Sequence, residues 1–411
     1  MIEFEEIPVL KRIKRLTTAV ACLTAMAAAP TQAQEIKIGA LYPFSGGLAL
    51  LGDESFRGTQ MAVDERNASG GVDGKKVVLV KADAVDANQA VGEARRLTSV
   101  EGVSAIFGSF SSGVATAATQ VTELSGVPYF ELGAVADTIT ARGFKYVFRS
   151  NSTAKSFADR SIESIVKVIA PTLKTDPKAL RIAIIYEDGP YGTLVSGFQK
   201  EEAKRLGLNV VESQAYSAKS VDLSSLVLRL KGANADIVLQ TSYQNDTLLF
   251  FRQSASAGYK PRAVIGAGGG YSLQETAQSL GSGIEAVYNV DFPQITMKEA
   301  GAPGLKEFVA AYEKRYGSAP RSGHSLVNYV GAKSFLDIMS AAKSTDPEKI
   351  RQSALAYRKP IGSSAAGWGF HFGENGQNQL ASSNLMQWQG GKLVTVYPEH
   401  VATAKPVPGK Q

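Results

Sequence analysis

The stretch Ser104–Gln120, SAIFGSFSSGVATAATQ, changes character in its middle. Its first residues predict the end of a buried strand, the glycine and serine residues of Gly108–Gly113 predict a turn, and the alanine-rich run from Ala115 predicts a helix. Such a turn leaves the first N–H groups of the helix without partners, at the positive end of the helix dipole. We therefore expect a negative group here: a phosphate, the oxyanion of a reaction begun by a serine, or the carboxylate of a bound ligand.

The same order of strand, turn and helix recurs on both sides of this stretch. It runs from Glu35 to about Arg149 and then restarts, so that LRIAIIYED (Leu180–Asp188) resembles the opening strand IKIGALY (Ile36–Tyr42). This alternation predicts an α/β fold with mostly parallel sheets and helices on both faces. Two such lobes direct the carboxyl ends of their strands, and therefore a ligand, toward a shared cleft.

The last part of the chain departs from this alternation. A helical region is expected from Gly304 to Ala356, followed by a hairpin in SSNLMQWQGGKLVTVYP with its turn at Gly390 and Gly391.

Composition and charge exclude several functional classes. The chain has 411 residues, of which 44% are hydrophobic, and a formal net charge of +6. Beyond residues 1–33 the mild basic excess is spread without clustered basic runs, so no nucleic-acid partner is expected. Three scattered histidines and a single cysteine, Cys22, argue against a metal site, and no cofactor is expected.

The beginning of the chain has the pattern of a secretory signal peptide. Four basic residues precede the apolar run Leu16–Ala29, and small residues follow near Ala33, so we expect residues 1–33 to be removed and the protein to be exported. A lipid anchor on Cys22 is disfavoured, because the preceding apolar run is short and Ala19 is a poor residue three places upstream.

The glycine-rich turns raise two enzymatic possibilities, nucleotide binding and catalysis by a nucleophilic serine. No stretch has the G-x-x-x-x-G-K-[ST] pattern of a phosphate loop, and GAGGGYS, Gly266–Ser272, fails the dinucleotide spacing. Ser111 lies between strand and helix, one glycine short of the nucleophile elbow of serine hydrolases. A hydrolase also needs a histidine base, and His324, His371 and His400 are each explained as surface or packing residues. We therefore expect a protein that is not an enzyme, and a serine hydrolase is the alternative.

Longer stretches of the chain carry a specific resemblance. They are IKIGALYPFSGGLALLGDESFRGTQMAVDERNASGGVDGKKVVLVKAD, FGSFSSGVATA, TARGFKYVFRS, YEDGPYGTLVSGFQKEEAKRLG, DLSSLVLRLKGANADIVLQTSY and FRQSASAGYKP. In their order and spacing the chain resembles the Leu/Ile/Val-binding family of periplasmic solute-binding proteins, which serve ABC importers. The resemblance implies a protein that is not an enzyme, whose lobes close on a small ligand by a hinge motion and whose closed form is delivered to the membrane permease.

The resemblance also implies the division of the chain. We expect the type I periplasmic binding fold, in which two Rossmann-like lobes are joined by a three-segment hinge. Lobe 1 is expected to hold residues 34–150 and 291–383, and lobe 2 residues 151–290 and 384–411, with crossings near Arg149, Asn289 and Ser383. A monomer is expected, with a small-molecule ligand and permease subunits as partners. A ligand-binding sensor component is the alternative within the same class.

The resemblance assigns roles to residues on both sides of the cleft. Ser112 corresponds to the serine that donates its hydroxyl to the ligand's α-carboxylate, Tyr191 to a tyrosine that covers the ligand, and Tyr243 to one that contacts it from the second lobe. The segment Gly133–Val135 is expected to complete the carboxylate clamp. The predicted ligand-binding residues are Leu51, Phe110, Ser111, Ser112, Gly133, Ala134, Val135, Tyr191, Tyr243 and Gly268.

Some positions depart from the family pattern. Relatives that bind amino acids hold the ammonium group with two carboxylates, and Ala154 and Gly268 occupy those two places here. Either Glu131 or Asp246 receives the ammonium instead, or the ligand has none, because a buried ammonium without an acceptor costs several kcal/mol. We interpret the pocket as favouring a carboxylate with an apolar or aromatic body and no ammonium group.

Overall fold

Two β-sheets carry the fold of the computed structural model, which describes residues 1–2 and 35–409. Most of the predicted signal peptide, with Cys22 and the cleavage site at Ala33, lies outside the described residues. The strands are β1 (Ile36–Tyr42), β2 (Val77–Asp83), β3 (Ala105–Gly108), β4 (Tyr129–Glu131), β5 (Val147–Arg149), β6 (Arg181–Glu187), β7 (Asn209–Tyr216), β8 (Ile237–Thr241), β9 (Ala263–Ala267), β10 (Tyr288–Asp291), β11 (Arg358–Lys359), β12 (Phe370–His371), β13 (Asn384–Gln389) and β14 (Lys392–Tyr397).

Helices connect most of these strands. They are α1 (Ala49–Ala68), α2 (Ala87–Arg95), α3 (Ser112–Leu124), α4 (Ala154–Ser164), α5 (Ala170–Thr172), α6 (Pro190–Arg205), α7 (Ser224–Gly232), α8 (Gln244–Ser256), α9 (Gln274–Leu280), α10 (Leu305–Tyr316), α11 (Gly323–Ala342) and α12 (Pro347–Ala356). Within the residues that the structure describes, no helix combines the length and the apolarity that crossing a membrane requires.

The first sheet has the strand order β2-β1-β3-β4-β5, and all of its strands are parallel. Strand β1 lies inside the sheet, which explains why nearly all of IKIGALY is apolar and buried. Strand β3 is buried and leads through a short turn into α3, as Ser104–Gln120 predicts.

The second sheet has the order β14-β13-β10-β9-β8-β6-β7. Strands β6 to β10 are parallel, and the hairpin of β13 and β14 extends the sheet in antiparallel fashion at one edge. The turn of this hairpin contains Gly390 and Gly391, whose φ angles are 58° and 76°, a left-handed conformation that glycine adopts without strain. The predicted α/β fold with two lobes of parallel sheet and the predicted hairpin are both confirmed.

The helical region expected from Gly304 to Ala356 consists of three helices, α10, α11 and α12. Helix α11 packs closely on α1, so the chain returns from the second sheet to the first before it forms β13. The two helices approach closely at Gly58, where an added Cβ atom would lie only 1.9 Å from the carbonyl oxygen of Ser325. A glycine in α1 is therefore required for this packing.

Candidate functional site

A narrow cavity lies where the carboxyl ends of strands from both sheets meet. The empty space between its walls, open solvent included, is about 280 Å³. The lining residues are Phe110, Val135, Phe157, Tyr191, Tyr243, Gly269, Asp291, Phe292 and His324. This lining contains six aromatic or imidazole rings and a single carboxylate, and it contains no lysine or arginine.

The predicted site residues surround this cavity to different degrees. Phe110, Val135, Tyr191 and Tyr243 line it directly. Gly268 precedes the lining residue Gly269, and Leu51 packs in one apolar cluster with Phe110 and with Leu273 of the other lobe. The other predicted residues, Ser111, Ser112, Gly133 and Ala134, are buried in the two loops that follow β3 and β4.

Helix α3 begins at Ser112, and its first turn has no side-chain cap. The Ser112 hydroxyl oxygen accepts a hydrogen bond from the N–H of Ala136 at 3.2 Å, which leaves the hydroxyl hydrogen available to donate. An uncapped first turn of a thirteen-residue helix, with a hydroxyl beside it, suits an anionic ligand group.

Glu131, at the end of β4, holds the two loops of the first lobe in place. Its carboxylate accepts hydrogen bonds from the N–H groups of Ser109 (2.8 Å), Leu132 (3.0 Å), Gly133 (2.8 Å) and Ala134 (2.6 Å). Burial raises the pKa of this carboxyl, and the backbone hydrogen bonds oppose that rise. The N–H groups of Gly133 and Ala134 are thus bonded to Glu131, and Val135 is the residue of this segment that lines the cavity.

Arg149, at the end of β5, is fully buried beneath the same loop. Its guanidinium donates to the carbonyl oxygens of Ala134 (3.2 Å) and Ala136 (2.7 Å) and to Oε1 of Gln377 (2.6 Å). Burial lowers the pKa of Arg149 to about 10, which leaves it charged at neutral pH. The arginine therefore joins the loop after β4 to the segment before β13.

Two tyrosines form the second-lobe wall, and their ring centroids lie 5.4 Å apart. Burial raises the pKa of the Tyr243 hydroxyl, and the neighbouring Ser111 of the first lobe opposes that rise. The Tyr191 hydroxyl is buried and has no hydrogen-bond partner among the described residues. Because Tyr191 lines the cavity, its hydroxyl is available to a ligand.

Sequence reasoning missed three ring-bearing residues that line the cavity, Phe157, Phe292 and His324. Phe157 and Phe292 pack edge to face with their centroids 5.3 Å apart, and His324 packs against Phe292 at 5.4 Å and Phe110 at 6.0 Å. Burial lowers the pKa of His324 to about 4, so the ring is neutral, and its Nδ1 is hydrogen-bonded to the hydroxyl of Ser322. The expected packing role of His324 is therefore present, but the residue also lines the cavity.

Asp291, the last residue of the buried strand β10, was also missed. Its Oδ1 accepts from the N–H of Phe292 at 2.7 Å, and its Oδ2 accepts from the hydroxyl of Ser272. Burial raises the pKa of Asp291 to about 7. An acidic residue directly after an apolar strand was the signal that could have identified it.

The two lobes contact each other at the mouth of the cleft. The Arg321 guanidinium lies 3.2 Å from the Asp53 carboxylate in α1 and 3.1 Å from the Glu275 carboxylate in α9. The N–H of Gln274 also donates to the carbonyl oxygen of Arg321 at 3.2 Å. The two lobes are thus in direct contact through Arg321.

The sequence of this chain is similar to those of known proteins. A family described as periplasmic binding protein matches residues 35–402. Leu/Ile/Val-binding protein homolog 7 from Brucella suis biovar 1 is 56% identical over 391 residues, which cover 95% of this chain and 98% of that protein.

Two solved structures share the fold at low sequence identity. The branched-chain amino acid transporter substrate-binding protein LivJ from Streptococcus pneumoniae, in complex with isoleucine, has a TM-score of 0.76 at 21% identity and covers 91% of this chain and 100% of its own. A solute-binding protein of an ABC transporter from R. palustris, in complex with benzoate, has a TM-score of 0.77 at 19% identity. It covers 92% of this chain and 100% of its own. The match to the family and the identity to the Brucella protein show that the chain belongs to the Leu/Ile/Val-binding family of periplasmic binding proteins.

Proposed function

We propose that this protein captures a small carboxylate-bearing solute between its lobes and delivers it to the permease subunits of an ABC importer. The observation that carries the proposal is the cavity between the lobes, with Phe110 and Val135 on one side and Tyr191 and Tyr243 on the other. Its small volume excludes large ligands, and its apolar lining suits a hydrophobic body.

The carboxylate of the solute is proposed to bind at the first turn of α3. Ser112 donates its hydroxyl there and unpaired N–H groups of the helix add to it, which requires no basic side chain. The two solved relatives hold isoleucine and benzoate, which share a carboxylate and an apolar body and differ in the ammonium group. This common chemistry supports the assignment of the carboxylate.

Capture is proposed to proceed by hinge closure. The lobes are assigned residues 34–150 with 291–383 and residues 151–290 with 384–411, so that three short segments absorb the rotation. The contact of Arg321 in the first lobe with Glu275 in the second is proposed to form on closure, whereas its contact with Asp53 lies within the first lobe. The protein is proposed to work as a periplasmic monomer after removal of residues 1–33, and to carry out no chemical step.

Ser112→Ala is expected to weaken the binding of carboxylate probes by about 1 to 3 kcal/mol, because it removes a charge-assisted hydrogen bond in a closed cleft. Isothermal titration calorimetry with leucine, phenylalanine and benzoate measures the change. Ser125→Ala is the matched control, since Ser125 is the exposed cap at the other end of α3. Equal affinities for Ser112→Ala and the control would show that the carboxylate binds elsewhere.

A further inference from the structure

Buried carboxylates follow several strands at the cleft, and most of them are engaged within the protein. Glu131 accepts from backbone N–H groups of the two first-lobe loops. Glu187 accepts from the N–H groups of Gly189 (2.7 Å) and Gly192 (2.6 Å). Asp246 accepts from the N–H of Tyr243 (2.9 Å) and from the hydroxyl of Tyr216 (2.8 Å). These three carboxylates therefore organise loops and helix starts, and none of them lines the cavity.

Asp291 differs from them because it lines the cavity directly. It is fully buried, and its two protein donors, the Phe292 N–H and the Ser272 hydroxyl, are both uncharged. A carboxylate has about four acceptor sites, so each oxygen can accept a further donor. Its burial without a counter-charge is unfavourable in the empty protein.

Gly268 leaves space directly in front of Asp291. A Cβ atom at Gly268 would lie 3.3 Å from Oδ1 of Asp291, 3.4 Å from the Tyr191 hydroxyl and 3.0 Å from the ring of Phe157. The φ angle of Gly268 is +79°, which disfavours any larger residue. The carboxylate, the unpartnered hydroxyl and an aromatic ring therefore converge on one point that no side chain occupies.

We infer that Asp291, together with the Tyr191 hydroxyl and the surrounding aromatic rings, receives a protonated amine nitrogen of the ligand. The inference rests on the proposed function and adds that the solute is a zwitterion with an apolar body. The negative charge comes from the end of β10, whereas the two family positions for a carboxylate hold Ala154 and Gly268. This inference replaces the expectation of a ligand without an ammonium group, which rested on those two positions and on Leu51 and Val135 in place of hydroxyl-bearing residues.

The electrostatics of the cavity agree with this role. His324 faces the cavity as a neutral ring, and the tyrosines Tyr191 and Tyr243 have pKa values raised by burial, so no cation among the lining residues neutralises Asp291. Glu187 and Asp246 lie behind these tyrosines and add negative potential. Aromatic faces also attract a cation electrostatically, which adds to the selectivity for an amine.

Three groups of probes separate the amine from the carboxylate. They are the amino acids leucine and phenylalanine, the corresponding acids without the amine, isocaproate and hydrocinnamate, and the corresponding amines without the carboxylate, isopentylamine and phenethylamine. Each is titrated by calorimetry into wild type, Asp291→Asn and Tyr191→Phe, all refolded to remove retained ligand. Asp291→Asn removes the charge at nearly constant shape.

We expect at least one amino acid to bind wild type and to lose about 100-fold in affinity with Asp291→Asn, because one partner of a buried charge pair is lost. A smaller loss, about 10-fold, is expected with Tyr191→Phe. Isocaproate and hydrocinnamate should bind both variants with the affinity that they have for wild type. Amino-acid binding at pH 7 should also release up to about half a proton from wild type and less from Asp291→Asn, since the amine stabilises the ionised Asp291.

Several outcomes would overturn the inference. Equal affinity of amino acids for wild type and Asp291→Asn would do so, as would the absence of binding by every probe that carries an amine. Binding of isocaproate or hydrocinnamate alone would overturn the inference and leave the proposed carboxylate capture standing. Binding of the two amines alone would support the role of Asp291 and contradict the carboxylate site at α3.

Discussion

Glu131→Ala should lower the free energy of unfolding by about 3 to 5 kcal/mol, the largest effect that we expect from a single substitution in the first lobe. The reason is that the carboxylate accepts four backbone hydrogen bonds in a fully buried place. Its removal leaves the N–H groups of Ser109 and of the segment Leu132–Ala134 without partners. It also removes a negative charge that stabilises the buried guanidinium of Arg149.

Urea unfolding followed by circular dichroism measures this loss. Glu313→Ala is the control, because Glu313 is exposed on α10 and its substitution should change the free energy of unfolding by less than about 0.5 kcal/mol. The loss in the free energy of unfolding for Glu131→Gln should lie between those for Glu131→Ala and Glu313→Ala, since the amide group of glutamine accepts hydrogen bonds through one oxygen only. A loss below about 1 kcal/mol for Glu131→Ala would mean that these loops are not held by the carboxylate.

Asp291→Asn is expected to stabilise the ligand-free protein at pH 8. In the folded state the pKa of Asp291 is about 7, above its ordinary value of 3.8, so the folded protein retains a proton that the unfolded chain releases. The stability of wild type therefore falls as the pH rises from about 4 to about 7 and stays low above that. Asparagine has no such proton, so the gain at pH 8 is up to about 4 kcal/mol and at pH 5 less than half of that.

Thermal unfolding of refolded, ligand-free wild type and Asp291→Asn at both pH values tests this expectation. Asp246, whose pKa burial also raises to about 7, is present in both proteins, so its contribution cancels in the comparison. An equal change at pH 5 and pH 8, or a loss of stability at pH 8, would contradict the assignment. A residue that costs stability in the empty protein and is required for binding is typical of a functional site.

The fold was predictable because its signals are local. Apolar runs such as Ile36–Tyr42 and Arg181–Glu187 are buried as strands, and glycine-rich turns such as Gly108–Gly113 lead into helices. The region after Gly304 was predicted only as helical. Its division into three helices follows local signals that the prediction did not use, Gly317 and Pro320 between α10 and α11 and the capping Asp346 with Pro347 at the start of α12. The short strands β11 and β12 were not predicted, since two-residue strands have no periodicity to detect.

The site was predictable only where the chain resembles its family. Phe110 and Tyr191 were identified from their motifs, and both line the cavity. Asp291 and His324 reach the cavity through tertiary structure, because β10 must pair between β9 and β13 and α11 must pack on α1 before either residue lines it. Neither arrangement leaves a pattern in the local sequence. Phe157 is a comparable case, since its position depends on where α4 begins after the first crossing.

The most direct test of the account is mass spectrometry of the small molecule retained by protein purified without refolding. We expect one compound per chain, of a size that the cavity holds, with a carboxylate, an amine and an apolar body. The same compound should be absent from Asp291→Asn purified in parallel. Retention of a compound that lacks a carboxylate, or equal retention of an amine-bearing compound by Asp291→Asn, would contradict the account.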